Sequence, residues 1–92
     1  MTNTMGTIHG VISGKVQGVW YRRFVEHEAG LYDIHGYAKN LDNGSVEIML
    51  TGEAEQLHEM VKQLIVGPEN SRVDKIEITP QRYTELEGFQ IL

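Results

Sequence analysis

Two stretches of the chain place apolar side chains three or four residues apart, which is the spacing of one face of an α-helix. The first stretch covers residues 21–32 and the second covers residues 53–65, after which Gly67 and Pro68 provide a stop signal. Each pattern predicts an amphipathic helix that packs its apolar face against the rest of the domain.

Short stretches rich in β-branched and alternating apolar residues lie before, between and after these two helices. They predict β-strands at residues 7–14, 34–40, 45–51 and 72–79, and a short last strand at 89–92. Asn43-Gly44 between the second and third strands is typical of a tight hairpin turn. The order β-α-β-β-α-β predicts a ferredoxin-like α+β sandwich, in which an antiparallel sheet carries both helices on one face and the last strand at an edge.

A length of 92 residues, with 40% hydrophobic and 23% charged residues, is typical of one soluble domain. We expect residues 1–6, which are polar and uncharged, to form a disordered tail, and residues 7–92 to form the single domain. The apolar runs are all far shorter than the roughly 20 residues needed to cross a bilayer. Residues 1–6 also lack the features of a signal peptide. We therefore expect a cytoplasmic monomer that does not bind membranes.

The formal net charge of −5 argues against a general nucleic-acid-binding protein. RNA-recognition domains share the predicted plan, but they stack bases on aromatic side chains of the third strand, and residues 45–51 contain none. The charge is also uneven, because residues 1–40 carry a net charge of +1 and residues 41–92 a net charge of −6. A site for a small anion is therefore expected in the first half of the chain.

The chain has no cysteine, which excludes disulfides, thiolate metal sites and a cysteine nucleophile. Two of its four histidines, His27 and His58, are followed by glutamate as in the zinc motif H-E-x-x-H. Leu31 and Lys62 occupy the positions where that motif requires its second histidine. We therefore expect no metal site at these histidines.

The segment between the first strand and the first helix, residues 14–23, reads GKVQGVWYRR. A turn with two glycines can direct several backbone N–H groups at one point, beside the positive end of the helix dipole. Arg22 lies in the first turn of the helix, where its guanidinium can contact two phosphate oxygens at once. The segment therefore predicts a small-anion site. The alternative is that the glycines serve only the turn and that the arginines are solvated.

Asn40 ends the second predicted strand, just before the hairpin. In a sheet of this plan, that position can come close to the loop that follows the first strand. Its amide offers a donor and an acceptor, which suits it to hold a water molecule in line with a bound phosphoryl group. A simple turn role for this asparagine is the alternative interpretation.

Two segments of the chain match known signatures. Residues 14–22, GKVQGVWYR, resemble the first signature of the acylphosphatase family, G-[RK]-V-Q-G-V-x-[FY]-R. Residues 36–47, GYAKNLDNGSVE, resemble the second, G-[WFY]-[VA]-[RK]-N-x-x-[DN]-G-x-V-E. Length, element order and Gly67-Pro68 also fit, so the resemblance extends over nearly the whole chain.

The resemblance implies a small enzyme that hydrolyses the carboxyl–phosphate anhydride of acyl phosphates to a carboxylate and inorganic phosphate, without metal or cofactor. Arg22 matches the phosphate-binding arginine of the family, and Asn40 matches its water-positioning asparagine. The loop expected to bind phosphate through its backbone consists of Val16, Gln17, Gly18, Val19, Trp20, Tyr21 and Arg22. A related domain that binds an anion with little turnover is the alternative.

Two positions in the chain raise further questions. Trp20 either contacts the acyl group at the mouth of the site or anchors the loop through its large apolar body. Asp33 stands where the family usually has a glycine after the first helix, so we expect a strained left-handed cap or a different kind of cap.

Overall fold

The computed structural model describes residues 4–92, and its elements follow the predicted order. The strands are β1 (Met5–Lys15), β2 (His35–Asn40), β3 (Val46–Glu53), β4 (Arg72–Gln81) and β5 (Phe89–Ile91). The helices are α1 (Tyr21–Tyr32) and α2 (Ala54–Val66). The predicted ferredoxin-like α+β fold is confirmed. None of the helices in residues 4–92 is long and apolar enough to cross a membrane.

The five strands form one open sheet in the order β4-β1-β3-β2-β5. The first four strands pair in antiparallel fashion, but β5 pairs in parallel with β2. The predicted antiparallel pairing holds for β1 to β4, and the predicted edge strand, whose direction the sequence left open, runs parallel to β2, so the sheet is mixed. The reason is that residues 82–88 cross from the β4 edge of the sheet to the β2 edge before the chain turns back into β5.

Strand β1 begins earlier than the sequence pattern predicts. Met5 and Gly6, which we expected in the tail, pair with Glu53 and Gly52 of β3. These two residues therefore belong to the sheet. Of the other residues in the expected tail, Thr4 lies directly before β1, and residues 1–3 lie outside the described part of the chain.

The core lies between the sheet and the two helices. Its buried residues include Ile12, Val46, Ile48 and Leu50 from the sheet, Tyr21, Val25 and Ala29 from α1, and Leu57, Met60 and Leu64 from α2. Full burial of one large apolar side chain contributes about 1.5–3 kcal/mol.

Tyr21 fixes the start of α1 against α2. Its hydroxyl donates a hydrogen bond to the main-chain oxygen of Leu64 over 2.5 Å. Burial raises the pKa of Tyr21, so the phenol stays neutral and remains a donor at neutral pH. This contact holds the first turn of α1 in place, and Arg22 is the next residue in that turn.

Asp33 ends α1 in the left-handed conformation, with φ 55° and ψ 48°, and its N–H donates to the carbonyl of Ala29. The structure thus has the strained cap that the missing glycine suggested. We expect Asp33→Gly to raise the free energy of unfolding by about 0.5–1 kcal/mol, because relief of the strain exceeds the extra unfolded-state entropy of glycine. Urea unfolding followed by circular dichroism measures the change.

Asn tolerates the left-handed region better than most residues, so Asp33→Asn should stabilise by less than Asp33→Gly. The Asp33 carboxylate is fully exposed and lies 3.7 Å from His35 Nε2. A pair this exposed contributes little. A loss of stability in both variants would show that the carboxylate contributes more than the strain costs.

Candidate active site

The candidate site is a pocket of about 360 Å³ at the end of the sheet where β2 and β5 finish and the loop from β1 to α1 passes. It is lined by Val16, Gly18, Trp20, Tyr21, Arg22, Arg23, Asn40 and Ile91. The structure therefore brings Arg22 and Asn40, which belong to separate sequence motifs, to one pocket.

The loop between β1 and α1 depends on two glycines for different reasons. Gly14 has φ 131°, and a Cβ at this position would collide with the main-chain oxygen of Arg72 in the neighbouring strand. Gly18 has φ 75°, which is also left-handed, but the space around its missing Cβ is open. Gly14 is therefore needed for close approach to β4, whereas Gly18 is needed for the turn beside the pocket.

Helix α1 begins at Tyr21 without a side-chain cap. Trp20 precedes it with φ 65° and ψ 24°, a conformation that costs roughly 1–2 kcal/mol for a residue other than glycine. An indole can only donate hydrogen bonds, so Trp20 cannot satisfy the free N–H groups of the first helical turn. These donors and the positive end of the helix dipole suit the pocket to an anion.

Arg22 is partly buried in the first turn of α1. Its Nη1 donates to the main-chain oxygen of Leu92 over 2.6 Å, and the N–H of Leu92 donates to the carbonyl of Ala38 in β2 over 2.9 Å. These bonds hold the guanidinium near the end of β2, and other N–H groups of the same guanidinium can still bind an anion. The contact with Leu92 has no signal in the sequence.

Asn40 ends β2, directly before the hairpin. Its Oδ1 is buried and has no hydrogen-bond partner among residues 4–92. Leaving a buried acceptor unpaired costs about 1–3 kcal/mol, so a donor placed against this oxygen would be bound favourably.

Gln17 directs its side chain towards the hairpin and does not line the pocket. Its Nε2 donates to the main-chain oxygens of Leu41 and Ser45 over 2.8 and 2.9 Å. The hydroxyls of Ser13 and Ser45, 3.2 Å apart, add a second link between the same two segments. These contacts fix the end of β1 and the loop that precedes Arg22 relative to the strand end that carries Asn40.

Sequence reasoning missed this role of Gln17 and assigned it only a backbone contribution. The signal in the sequence was an amide side chain between the two loop glycines, Gly14 and Gly18. The nitrogen of one amide can donate hydrogen bonds to two carbonyls. Val19 likewise packs its side chain against the core, away from the pocket lining. Gln17 and Val19 can therefore contribute to anion binding only through their backbone N–H groups, and that contribution stays a prediction.

The charges around the pocket differ in sign from the chain as a whole. Arg22 and Arg23 both line it, whereas the formal net charge of the chain is −5. Arg23 has only a weak partner, Glu26, at 3.4 Å in an exposed pair. Within residues 4–92, no three histidine, aspartate or glutamate side chains are grouped so as to hold a metal ion.

The acylphosphatase family model matches residues 8–91 of this chain. The chain belongs to the acylphosphatase family. An acylphosphatase from Vibrio vulnificus is 42% identical over 82 residues, which cover 89% of this chain and 91% of the relative. An acylphosphatase from Koribacter versatilis is 38% identical over 94 residues, which cover 99% of this chain and 84% of the relative.

A solved structure of an acylphosphatase from Coxiella burnetii matches the fold with a TM-score of 0.92 at 30% identity, and the match covers 98% of this chain and 94% of that one. Fold and sequence thus lead to the same family. The acylphosphatase described here is a hydrolase of acyl phosphates.

The link made by Gln17 gives a prediction for this acylphosphatase. Gln17→Ala removes the donor from two carbonyls, so we expect the free energy of unfolding to fall by about 1–3 kcal/mol. The kcat should fall by about tenfold, because the loop is less well positioned against Asn40. Urea unfolding and steady-state kinetics measure the two effects.

The matched control is Gln56→Ala, since Gln56 is an exposed amide on α2 that does not line the pocket. We expect this variant to change neither kcat nor stability by a measurable amount. If Gln17→Ala lost stability but kept full kcat, the link would be structural and would not position the site.

Proposed function

We propose that this acylphosphatase hydrolyses its substrate by direct attack of a water molecule on a phosphoryl group held in the pocket, without a metal ion. In this proposal, Arg22 and the backbone N–H groups of residues 16–22 bind the phosphate oxygens, and Asn40 orients the water. The observation that supports it is that Arg22 and Asn40, which belong to separate sequence motifs, line the same pocket.

Phosphate binding follows from the donors at this pocket. The guanidinium of Arg22 offers N–H groups in a planar fork, which matches two phosphate oxygens better than an ammonium does. The uncapped start of α1 adds backbone N–H groups and the helix dipole. Charge on the phosphoryl oxygens of the transition state is stabilised by donors that are already in position and need no reorganisation.

Water activation rests on position more than on a strong base. The side-chain amide of Asn40 orients the water, which attacks phosphorus as the bond from phosphorus to the acyl oxygen breaks. Residues 4–92 place no carboxylate and no imidazole in the pocket lining, so a phosphate oxygen of the substrate takes the proton of the water. The bonding electrons leave with the carboxylate, which is a weak base and needs no protonation by a general acid.

Hydrolysis of benzoyl phosphate by the purified protein, followed by ultraviolet absorbance, tests this mechanism. We expect turnover that is insensitive to EDTA, is inhibited competitively by inorganic phosphate and is lost in Arg22→Ala. Loss of turnover in EDTA would overturn the metal-free mechanism. A folded protein that binds phosphate without turnover would instead support an anion-binding domain.

We further propose that the protein acts as a monomer in the cytoplasm on small acyl phosphates. The size and composition of the chain support this proposal. Size-exclusion chromatography with light scattering tests the monomer, and a stable dimer at micromolar concentration would contradict it.

A further inference from the structure

Trp20 is 77% exposed at the mouth of the pocket. The residues on either side of it turn inward, because Val19 packs against the core and Tyr21 is buried. Trp20 therefore does not anchor the loop. A large indole left in water offers a flat apolar surface to a ligand that enters the pocket.

Arg23 lies three residues after Trp20, and both line the same pocket. Trp20 immediately precedes α1 and Arg23 lies in its first turn, so both residues lie at the start of the helix beside the pocket. Arg23 is not needed to bind the phosphoryl group in the proposed mechanism, and its contact with Glu26 at 3.4 Å is weak and exposed. Its guanidinium is therefore available to a second negative group.

The pocket is larger than a phosphoryl group requires. Its volume of about 360 Å³ falls within the range of roughly 300–1,000 Å³ that is usual for small-molecule sites. With the phosphoryl group bound at Arg22, the rest of the pocket is lined in part by Trp20 and Arg23. That space is where the acyl group of a substrate must lie.

We infer that Trp20 and Arg23 form the acyl-group subsite, and that this subsite favours a flat apolar acyl group with a second carboxylate at its far end. The flat part of the acyl group packs against the indole of Trp20, and the carboxylate pairs with the guanidinium of Arg23. This inference rests on the proposed function, because it assumes that the phosphoryl group binds at Arg22.

Steady-state kinetics with acetyl, benzoyl and 4-carboxybenzoyl phosphate test the inference. We expect the wild type to prefer 4-carboxybenzoyl over benzoyl phosphate by about three- to fivefold in kcat/KM, and Arg23→Gln to abolish this preference. The ratio of benzoyl to acetyl phosphate should fall by about tenfold in Trp20→Ala. Acetyl phosphate is the reference in each variant, so a general loss of activity cancels in the ratios.

The matched control is Arg82→Gln, which removes a cation from an exposed loop position and should leave both ratios unchanged. If acetyl phosphate is hydrolysed but the ratios do not change in the Trp20 and Arg23 variants, the subsite is wrong and the proposed function stands. If the folded wild type hydrolyses none of the three substrates, the proposed function itself fails.

Fluorescence gives a second measurement that does not depend on turnover. Trp20 is the only tryptophan in the chain, so intrinsic tryptophan emission comes from this position alone. We expect benzoylphosphonate, a non-hydrolysable probe, to change the emission in a saturable way, and inorganic phosphate to reverse the change by competition. No change, or a change that phosphate does not reverse, would overturn the subsite.

Discussion

Replacement of Arg22 by alanine should lower kcat/KM for benzoyl phosphate by about 10³-fold or more. It should also abolish competitive inhibition by inorganic phosphate. The reason is that the Arg22 guanidinium is the cation that binds the phosphoryl group in the proposed mechanism, and its effect is largest on the charge that the transition state carries. Steady-state kinetics with phosphate as inhibitor measure both losses.

Two variants separate this role from a general effect of charge. Arg22→Lys keeps the charge but loses the planar fork, so its activity should lie between those of the wild type and Arg22→Ala. Arg82→Ala removes an exposed arginine far from the pocket lining and should retain full activity. If Arg22→Ala kept activity and phosphate inhibition within a few-fold of the wild type, the phosphate site would have to be assigned elsewhere.

The contact of Arg22 with Leu92 could also matter for stability. A single exposed hydrogen bond contributes about 1 kcal/mol, which is too little to unfold a domain of ordinary stability. Circular dichroism and urea unfolding of Arg22→Ala should therefore show a folded protein, and the loss of activity can be read as a loss at the site.

Asn40→Ala should lower kcat by about 10²- to 10³-fold and leave the inhibition constant of inorganic phosphate within about twofold. The asparagine is proposed to hold the water and not the phosphoryl group, so binding should survive while turnover falls. Kinetics with phosphate as competitive inhibitor separate the two quantities. A collapse of phosphate affinity would make Asn40 a binding or structural residue.

Stability gives an independent test of the same position. Because Oδ1 of Asn40 is buried without a partner among residues 4–92, its removal should not lower the free energy of unfolding and could raise it by about 1 kcal/mol. A turn-forming asparagine would behave in the opposite way, since its loss destabilises the hairpin. Gln56→Ala, an exposed amide variant on α2, provides the reference for both measurements.

The two helices could be predicted from the sequence because their apolar residues recur with the helical period and point to one core. The direction of β5 could not be predicted, because three residues carry no signal for parallel or antiparallel pairing. The start of β1 was also missed, since Met5 and Gly6 look like tail residues until β3 pairs with them. The start of β1 and the direction of β5 therefore depend on pairing with distant strands, which the local sequence pattern does not reveal.

The candidate site shows the same division. Arg22 and Asn40 could be predicted because each lies in a recognisable motif, and the structure brings them to one pocket. The contacts of Gln17 with Leu41 and Ser45 could not, because they depend on how close the loop and the hairpin come in space. The exposure of Trp20 argues against the interpretation that it anchors the loop, because its neighbours Val19 and Tyr21 face the core instead. Its contact with the acyl group stays a prediction.

The strand order β4-β1-β3-β2-β5 has a consequence for how the site is assembled. Arg22 and Asn40 are near each other in sequence. Arg22 follows β1 and Asn40 ends β2, but β3, which comes later in the chain, lies between these two strands in the sheet. The pocket therefore cannot form by local folding. It depends on pairing between segments that are distant in sequence, and such pairing is slow to nucleate. After dilution from denaturant, we therefore expect activity to return with the final cooperative step of refolding and not with the earlier appearance of helix.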